Sequence, residues 1–299
     1  MIFQAPEGIN NELRRIAIGI QYDGSPFCGW QSQINQPTIQ DHIEAAISHF
    51  IGGFKKQHVR LTAAGRTDTG VHALGQVAHF DTYIERPDWS WVRGLNNFLP
   101  QSISIQWAKE VPLEFDARFS AFERSYCYFL VTSPVKTPLL HQKAGHYMLP
   151  SSKSLHLEEM RKAVSYLMGE HDFTSFRSSE CQSKTPVKSI YQIDIIQDGP
   201  KYFFFLRANA FLHHMVRNII GGLLYVGLGK QPAQWFDELL RKKNRSLAAP
   251  TFSADGLYLC QVAYPNHFEI PQPNFEYAAI PSHYLTQAFG HNNHLLVTP

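Results

Sequence analysis

Arg15-Ile16-Ala17-Ile18-Gly19-Ile20-Gln21-Tyr22-Asp23 is the stretch from which the fold can be read outward. Ile16, Ile18, Ile20 and Tyr22 fall on one side and Ala17, Gly19 and Gln21 on the other, which is the two-residue period of a strand. A glycine-bearing loop from Asp23 to Gly29 follows. Thr38 then stands as an N-cap before Ile39, Ile43, Ala46, Ile47 and Phe50, apolar residues at helical spacing. Strands are expected near His58–Ala63 and Leu74–Asp81, then a helix over Asp88–Phe98 and a strand over Ile103–Ala108.

The second half runs in the same order. A strand at Arg124–Val131, a helix at Leu155–Met168, and strands at Ile190–Ile196 and Tyr202–Arg207 joined by an Asp198-Gly199 turn are expected. Helices at Phe211–Val226 and Pro232–Lys242 and a strand at Leu257–Ala263 complete it. A twofold β-α-β-β-α-β order is the ferredoxin-like pattern. The expected fold is therefore α+β: two such halves, residues 12–117 and 118–265, form a continuous antiparallel sheet with helices on one face and a cleft between the halves. The tail, 266–299, with prolines at 271, 273 and 281, reads as a poorly packed extension.

Composition excludes more than it identifies. Of 299 residues, 44% are hydrophobic and 17% charged, as in a folded globular protein. A net charge of +2 means that any nucleic-acid surface must be a local patch. Cys28, Cys127, Cys181 and Cys260 are too widely spaced for metal-binding pairs, so reduced, mostly buried thiols are expected. Met1–Glu7 lacks the basic and apolar regions of a secretory signal, and Ile219–Leu228 is too short to span a membrane. A cytoplasmic protein without a membrane partner is expected.

Three constellations hold chemistry. Between the second and third strands lies Gly65-Arg66-Thr67-Asp68-Thr69-Gly70-Val71-His72, in which Arg66 and Asp68 share one side of an extended segment. A guanidinium beside a carboxylate favours the ionised form that a nucleophile requires. By composition alone, a turn with a surface ion pair is the commoner use of such residues. Asp-Thr-Gly also occurs in aspartic proteases, but the sequence supplies one copy and places an arginine where a shared proton would be disfavoured. On the Arg124–Val131 strand, Tyr126 and Tyr128 share a face and are candidate base-stacking residues, with core packing as the plainer reading. Within the apolar Phe211–Val226 helix, Arg217 calls for an anionic partner, for which Asp68 is a candidate. His213 and His214 point apart on a helix and have no third ligand spaced to join them, so structural histidines are expected.

These segments together resemble the tRNA pseudouridine synthase A family. The shared motifs are Tyr22-Asp23-Gly24, Gly29-Trp30-Gln31, the Gly65–His72 segment, Ala117-Arg118-Phe119-Ser120-Ala121, and Arg124 with Tyr126 and Tyr128. Gly169-Glu170-His171-Asp172-Phe173, His213–Asn218 and Ala249-Pro250 leading to Gly256-Leu257-Tyr258-Leu259 follow in family order. The resemblance implies a cofactor-free homodimer that isomerises uridines 38, 39 and 40 in the anticodon arm of tRNA. It further implies Asp68 as nucleophile, attacking ring carbon 6 or the anomeric carbon, and Arg66 holding the base out of the RNA stack. The same resemblance implies that Tyr126 packs on that base, that Arg217 pairs with Asp68, and that Leu257, or Leu259 in its place, lines the uracil pocket. Thr69 stands where the family usually has alanine, and Lys188 where it usually has arginine, a change able to alter RNA contacts. A noncatalytic RNA-binding protein and an aspartic protease are the alternatives.

Overall fold

The computed structural model describes residues 9–52, 59–276 and 278–290. The fold is mixed α+β with mostly antiparallel strands, and the chain divides into two compact units. One comprises the described residues up to Phe122 together with Cys260–Pro273, and the other Glu123–Leu259 together with the described residues from Asn274 onward.

In the first unit β1 (Ile9–Tyr22) lies between β3 (His72–Ile84) and β4 (Ile103–Val111), antiparallel to both. Alternation implies one buried side, yet Ala17 is as fully buried as Ile16 and Ile18, so the strand is enclosed on both faces. The short β2 (Thr62–Ala63) pairs with β3, which makes the expected second strand only two residues long; His58 lies outside the described residues, as does the Met1–Glu7 segment. Thr38 caps α1 (Ile39–Phe50) by accepting the Asp41 N–H. Trp91 of α2 (Asp88–Asn96) packs edge-on against Phe50 and Phe80 at ring distances of 5.4 and 5.3 Å. β3 also buries His79, whose Nδ1 accepts the Ala117 N–H at 3.0 Å. Burial first, and the charge on Arg15 second, hold its pKa below the ordinary imidazole value.

In the second unit β5 (Glu123–Ser133), β9 (Lys201–Ala208), β8 (Val187–Asp198) and β7 (Gly169–Asp172) pair antiparallel in that order. β6 (Gly145–Met148) adds in parallel to β5. Neither β6 nor β7 is expected from the sequence, because four residues are too few to establish a period. The helices are α3 (Leu157–Ser165), α4 (Met215–Gly227) and α5 (Trp235–Lys242), and β10 (Leu257–Ala263) begins in this unit, its residues from Cys260 on belonging to the first.

Two expectations are corrected. The helix expected from Phe211 starts at Met215, because His214 adopts a left-handed backbone (φ 64°) that no α-helix continues through. His213 and His214 therefore sit in a turn with ring centroids 4.0 Å apart and do not point to opposite sides of a helix. The described part of the tail is not poorly packed. Phe268 meets Phe115 at 5.1 Å, and α6 (Ser282–Phe289) sets Tyr284 and Phe289 against Phe203 and Phe205, which share one face of β9. Ile280 and Leu285 are fully buried there as well. Of the cysteines, Cys127 and Cys260 are buried, Cys28 and Cys181 half-buried, and all four are free thiols. No described helix is long and apolar enough to cross a membrane.

Candidate active site

Asp68 lies in the loop between β2 and β3, half-buried, between an exposed Thr69 and a buried Thr67; Arg66 is exposed. Backbone and side-chain bonds from three directions fix this loop. Ala64 N–H donates to Val77 O at 2.8 Å and Gln76 Nε2 donates to Gly65 O at 2.8 Å, tying its start to β3. Thr67 Oγ1 shares a 2.8 Å hydrogen bond with the buried Tyr22 hydroxyl, and Thr67 O accepts the Trp30 N–H at 3.0 Å. The Asp68 carbonyl accepts the Val71 N–H at 3.1 Å, closing a turn directly after the carboxylate.

Tyr22, Gly29 and Trp30, to which the sequence assigns no role at the site, are thus the buttress of Asp68. Gly29 has φ +86°, and a Cβ there would lie 2.7 Å from Thr67 O and 3.1 Å from the Asp68 carbonyl carbon. Only glycine permits that backbone and that approach. The same segment starts a helix: Gly29 O and Trp30 O accept the N–H groups of Ile39 and Gln40, which would otherwise be unpaired at the first turn of α1. Helix start and aspartate loop are consequently held by one short stretch of chain.

In the second unit Tyr126 is half-buried on β5, with its ring edge-to-face on Phe211 at 5.1 Å. Tyr128, its neighbour on that face, is fully buried and donates to Ser253 O at 2.9 Å, so it packs the core and offers no platform. Burial, with Asp255 adding, raises its phenol pKa. Arg217 Nε donates to Phe252 O at 2.9 Å, which sets the plane of its guanidinium. Leu257, 5% exposed, is the first residue of β10, and its N–H donates to Ala254 O at 2.8 Å; Leu259 is still more buried.

Three successive carbonyls, of Phe252, Ser253 and Ala254, are therefore taken by Arg217, Tyr128 and Leu257. Asn218 anchors the same strap. Buried in α4, it donates from Nδ2 to Phe176 O at 2.7 Å and accepts at Oδ1 from Thr251 Oγ1 at 2.6 Å and Arg245 Nη2 at 3.0 Å. Sequence reasoning missed this hub, although an asparagine on a buried apolar helix face is itself a signal, since a buried amide must find partners. Lys188 is buried too: its Nζ donates to the carbonyls of Thr185 at 2.9 Å and Val187 at 2.8 Å, and desolvation lowers its pKa.

Comparison with known proteins is unambiguous on this background. The family model described as tRNA pseudouridine synthase matches residues 18–120 and 163–265, more than half of the chain and inclusive of the Asp68 loop and the strap. The chain belongs to the tRNA pseudouridine synthase family. A relative from Polynucleobacter asymbioticus named tRNA pseudouridine synthase A is 59% identical over 90% of this chain and 98% of its own length. Those of the same name from Paraburkholderia phytofirmans and Paraburkholderia xenovorans are 56% and 55% identical over 87% of this chain and 94% of theirs. Membership in this isomerase family makes the chain an enzyme and the RNA its implied substrate.

Proposed function

We propose that this tRNA pseudouridine synthase isomerises uridine to pseudouridine at positions 38, 39 and 40 of the tRNA anticodon arm, with Asp68 as nucleophile. The observation that carries the reading is the placement of Asp68: a half-buried carboxylate on a loop whose backbone is pinned by Tyr22, Trp30 and Gln76. A reacting carboxylate must be held in position before substrate arrives, because an ångström of misplacement forfeits much of the rate.

The reaction breaks the bond from the anomeric carbon to ring N1, turns the uracil, and forms a bond from the same carbon to ring carbon 5. The proton on carbon 5 is lost and N1 gains one, so the atoms balance without a cofactor. The target base is first flipped out of the RNA stack. Arg66, exposed beside Asp68, holds the gap left by the base. Tyr126, backed by Phe211, stacks on the flipped uracil, and Leu257 lines its pocket. Arg217, oriented by Phe252 O, is the cation for Asp68. Residues 12–117 supply the aspartate loop and residues 118–265 the remaining groups. The protein works as a homodimer in the cytoplasm.

Tritium release from carbon-5-labelled uridine in tRNA tests the reading. The protein as it stands releases tritium, and Asp68→Asn does not while still binding tRNA. Retained release in Asp68→Asn would remove Asp68 as nucleophile, and an aspartate variant indistinguishable from the parent in every RNA assay would favour a noncatalytic RNA binder. Mapping pseudouridine along the product tRNA checks the three positions, and sedimentation checks the dimer.

A further inference from the structure

We infer that an open depression of about 450 Å3 in the second unit is a phosphodiester-binding subsite that grips the backbone of the RNA substrate. The inference rests on the proposed RNA reading. Arg177, Arg245 and His214 line the depression with the hydroxyl residues Thr174, Ser178 and Ser179. Its volume falls within the range of small-ligand sites, and its groups are donors.

The arginines are the decisive feature. Arg245 is half-buried and donates to Ala249 O at 2.8 Å, Asn218 Oδ1 at 3.0 Å and Thr251 Oγ1 at 3.1 Å, all neutral acceptors. Arg177 donates to another carbonyl, that of Cys181, at 3.0 Å. Among the described residues neither guanidinium bonds a carboxylate, and burial without a counter-charge lowers the pKa of Arg245. Of the acids close in sequence to the lining, Glu180, next to Ser179, is exposed, and Asp172 is engaged by Thr174 and lies 3.1 Å from Lys243 Nζ. Two guanidiniums taken partly out of water without an anion are costly, and a bound anion removes the cost. Each retains N–H donors in the planar geometry that suits phosphate oxygens.

Location favours a phosphate carried by RNA. Thr251, at the edge of the depression, precedes Phe252, whose carbonyl orients Arg217, and Arg245 and Asn218 both hold Thr251. A strand bound here is therefore registered against the strap that sets Arg217 and Leu257. The subsite is a positioning device for the reaction and takes no part in bond making.

The test uses the full chain and equilibrium tRNA binding across a salt series. Arg177→Gln is expected to reduce the slope of log affinity against log salt by about 0.7–0.9 for each phosphate that the variant no longer neutralises. Ser179→Glu, at an exposed position that tolerates the side chain, is expected to weaken tRNA binding about tenfold at low salt without moving the unfolding midpoint. Arg245→Gln should act like Arg177→Gln, but it also loosens the strap, so the other two variants carry the test. An unchanged slope in Arg177→Gln together with unchanged affinity in Ser179→Glu overturns the subsite. Saturable binding of inorganic phosphate, read as NMR shifts at the Ser178 and Ser179 amides, with an unaltered tRNA slope also overturns it, in favour of a free-phosphate site. Failure of the parent protein to bind or modify tRNA would instead overturn the proposed function, so the two failures are distinguishable.

Discussion

The β2–β3 connection of the first unit and the β8–β9 connection of the second occupy the same place in a repeated element order, yet they are built on opposite principles. The second is a two-residue turn, Gly199-Pro200, in which Gly199 takes φ 56° and has open space around it. Pro200 O accepts from Thr132 on the neighbouring β5. The first spans Ala64 to Val71 and is too long to satisfy its own backbone groups. It borrows partners from Tyr22, Trp30 and Gln76, and that borrowed rigidity holds Asp68. A short turn is cheap and chemically silent; a long one becomes a site once neighbouring chain is committed to holding it.

Substitutions can break this comparison, and Gly29→Ala should do so most severely. The left-handed backbone and the close approach to Thr67 and Asp68 together predict a loss of about 3 kcal/mol, seen by urea denaturation. Turnover should fall on the order of 100-fold even in the fraction that folds, because the aspartate is displaced. His79 gives the next effect. β3 buries an imidazole where β9 has Phe203, Phe204 and Phe205, so acid should weaken the first unit selectively. The folded pKa is depressed, so the contribution is complete above the ordinary value of 6.5 and is lost as pH falls below it. The stability difference between the parent and His79→Gln should shrink there, by at most about 1.4 kcal/mol per pH unit. Tyr22→Phe removes one buried hydrogen bond to Thr67; a loss of about 1 kcal/mol and a several-fold drop in turnover are expected. Gly199→Ala is the control. It should cost about 1 kcal/mol for the left-handed turn and leave tritium release unchanged; a drop in turnover would mean that the two connections are not functionally distinct.

Side-chain periodicity made the element order legible, and β1, α1, β3, β5, β8, β9 and β10 fall where alternation and helical spacing place them. Asp68 was legible as a candidate because glycines and an arginine surround it. What periodicity misses is the partner of each backbone carbonyl. Nothing in the spacing of Phe252, Ser253 and Ala254 signals that Arg217, Tyr128 and Leu257 would each take one. Tyr126 and Tyr128 read alike in sequence, yet Tyr128 is a core residue with its hydroxyl on Ser253 O and its ring against Phe252, while Tyr126 is half-buried against Phe211. The start of α4 was misplaced for a related reason: Phe211, Leu212 and Met215 continue an apolar pattern through a turn that His214 forbids the helix to enter.

The family match ends at residue 265, but the fold does not. Phe268, Leu285 and Phe289 are buried beyond it, and Tyr284 and Phe289 shield a ladder of phenylalanine rings on β9. A chain cut at the boundary of the match would bare that ladder to water and should precipitate or self-associate. In recombinant work the C-terminal segment is therefore best left whole and any affinity handle placed at the other end.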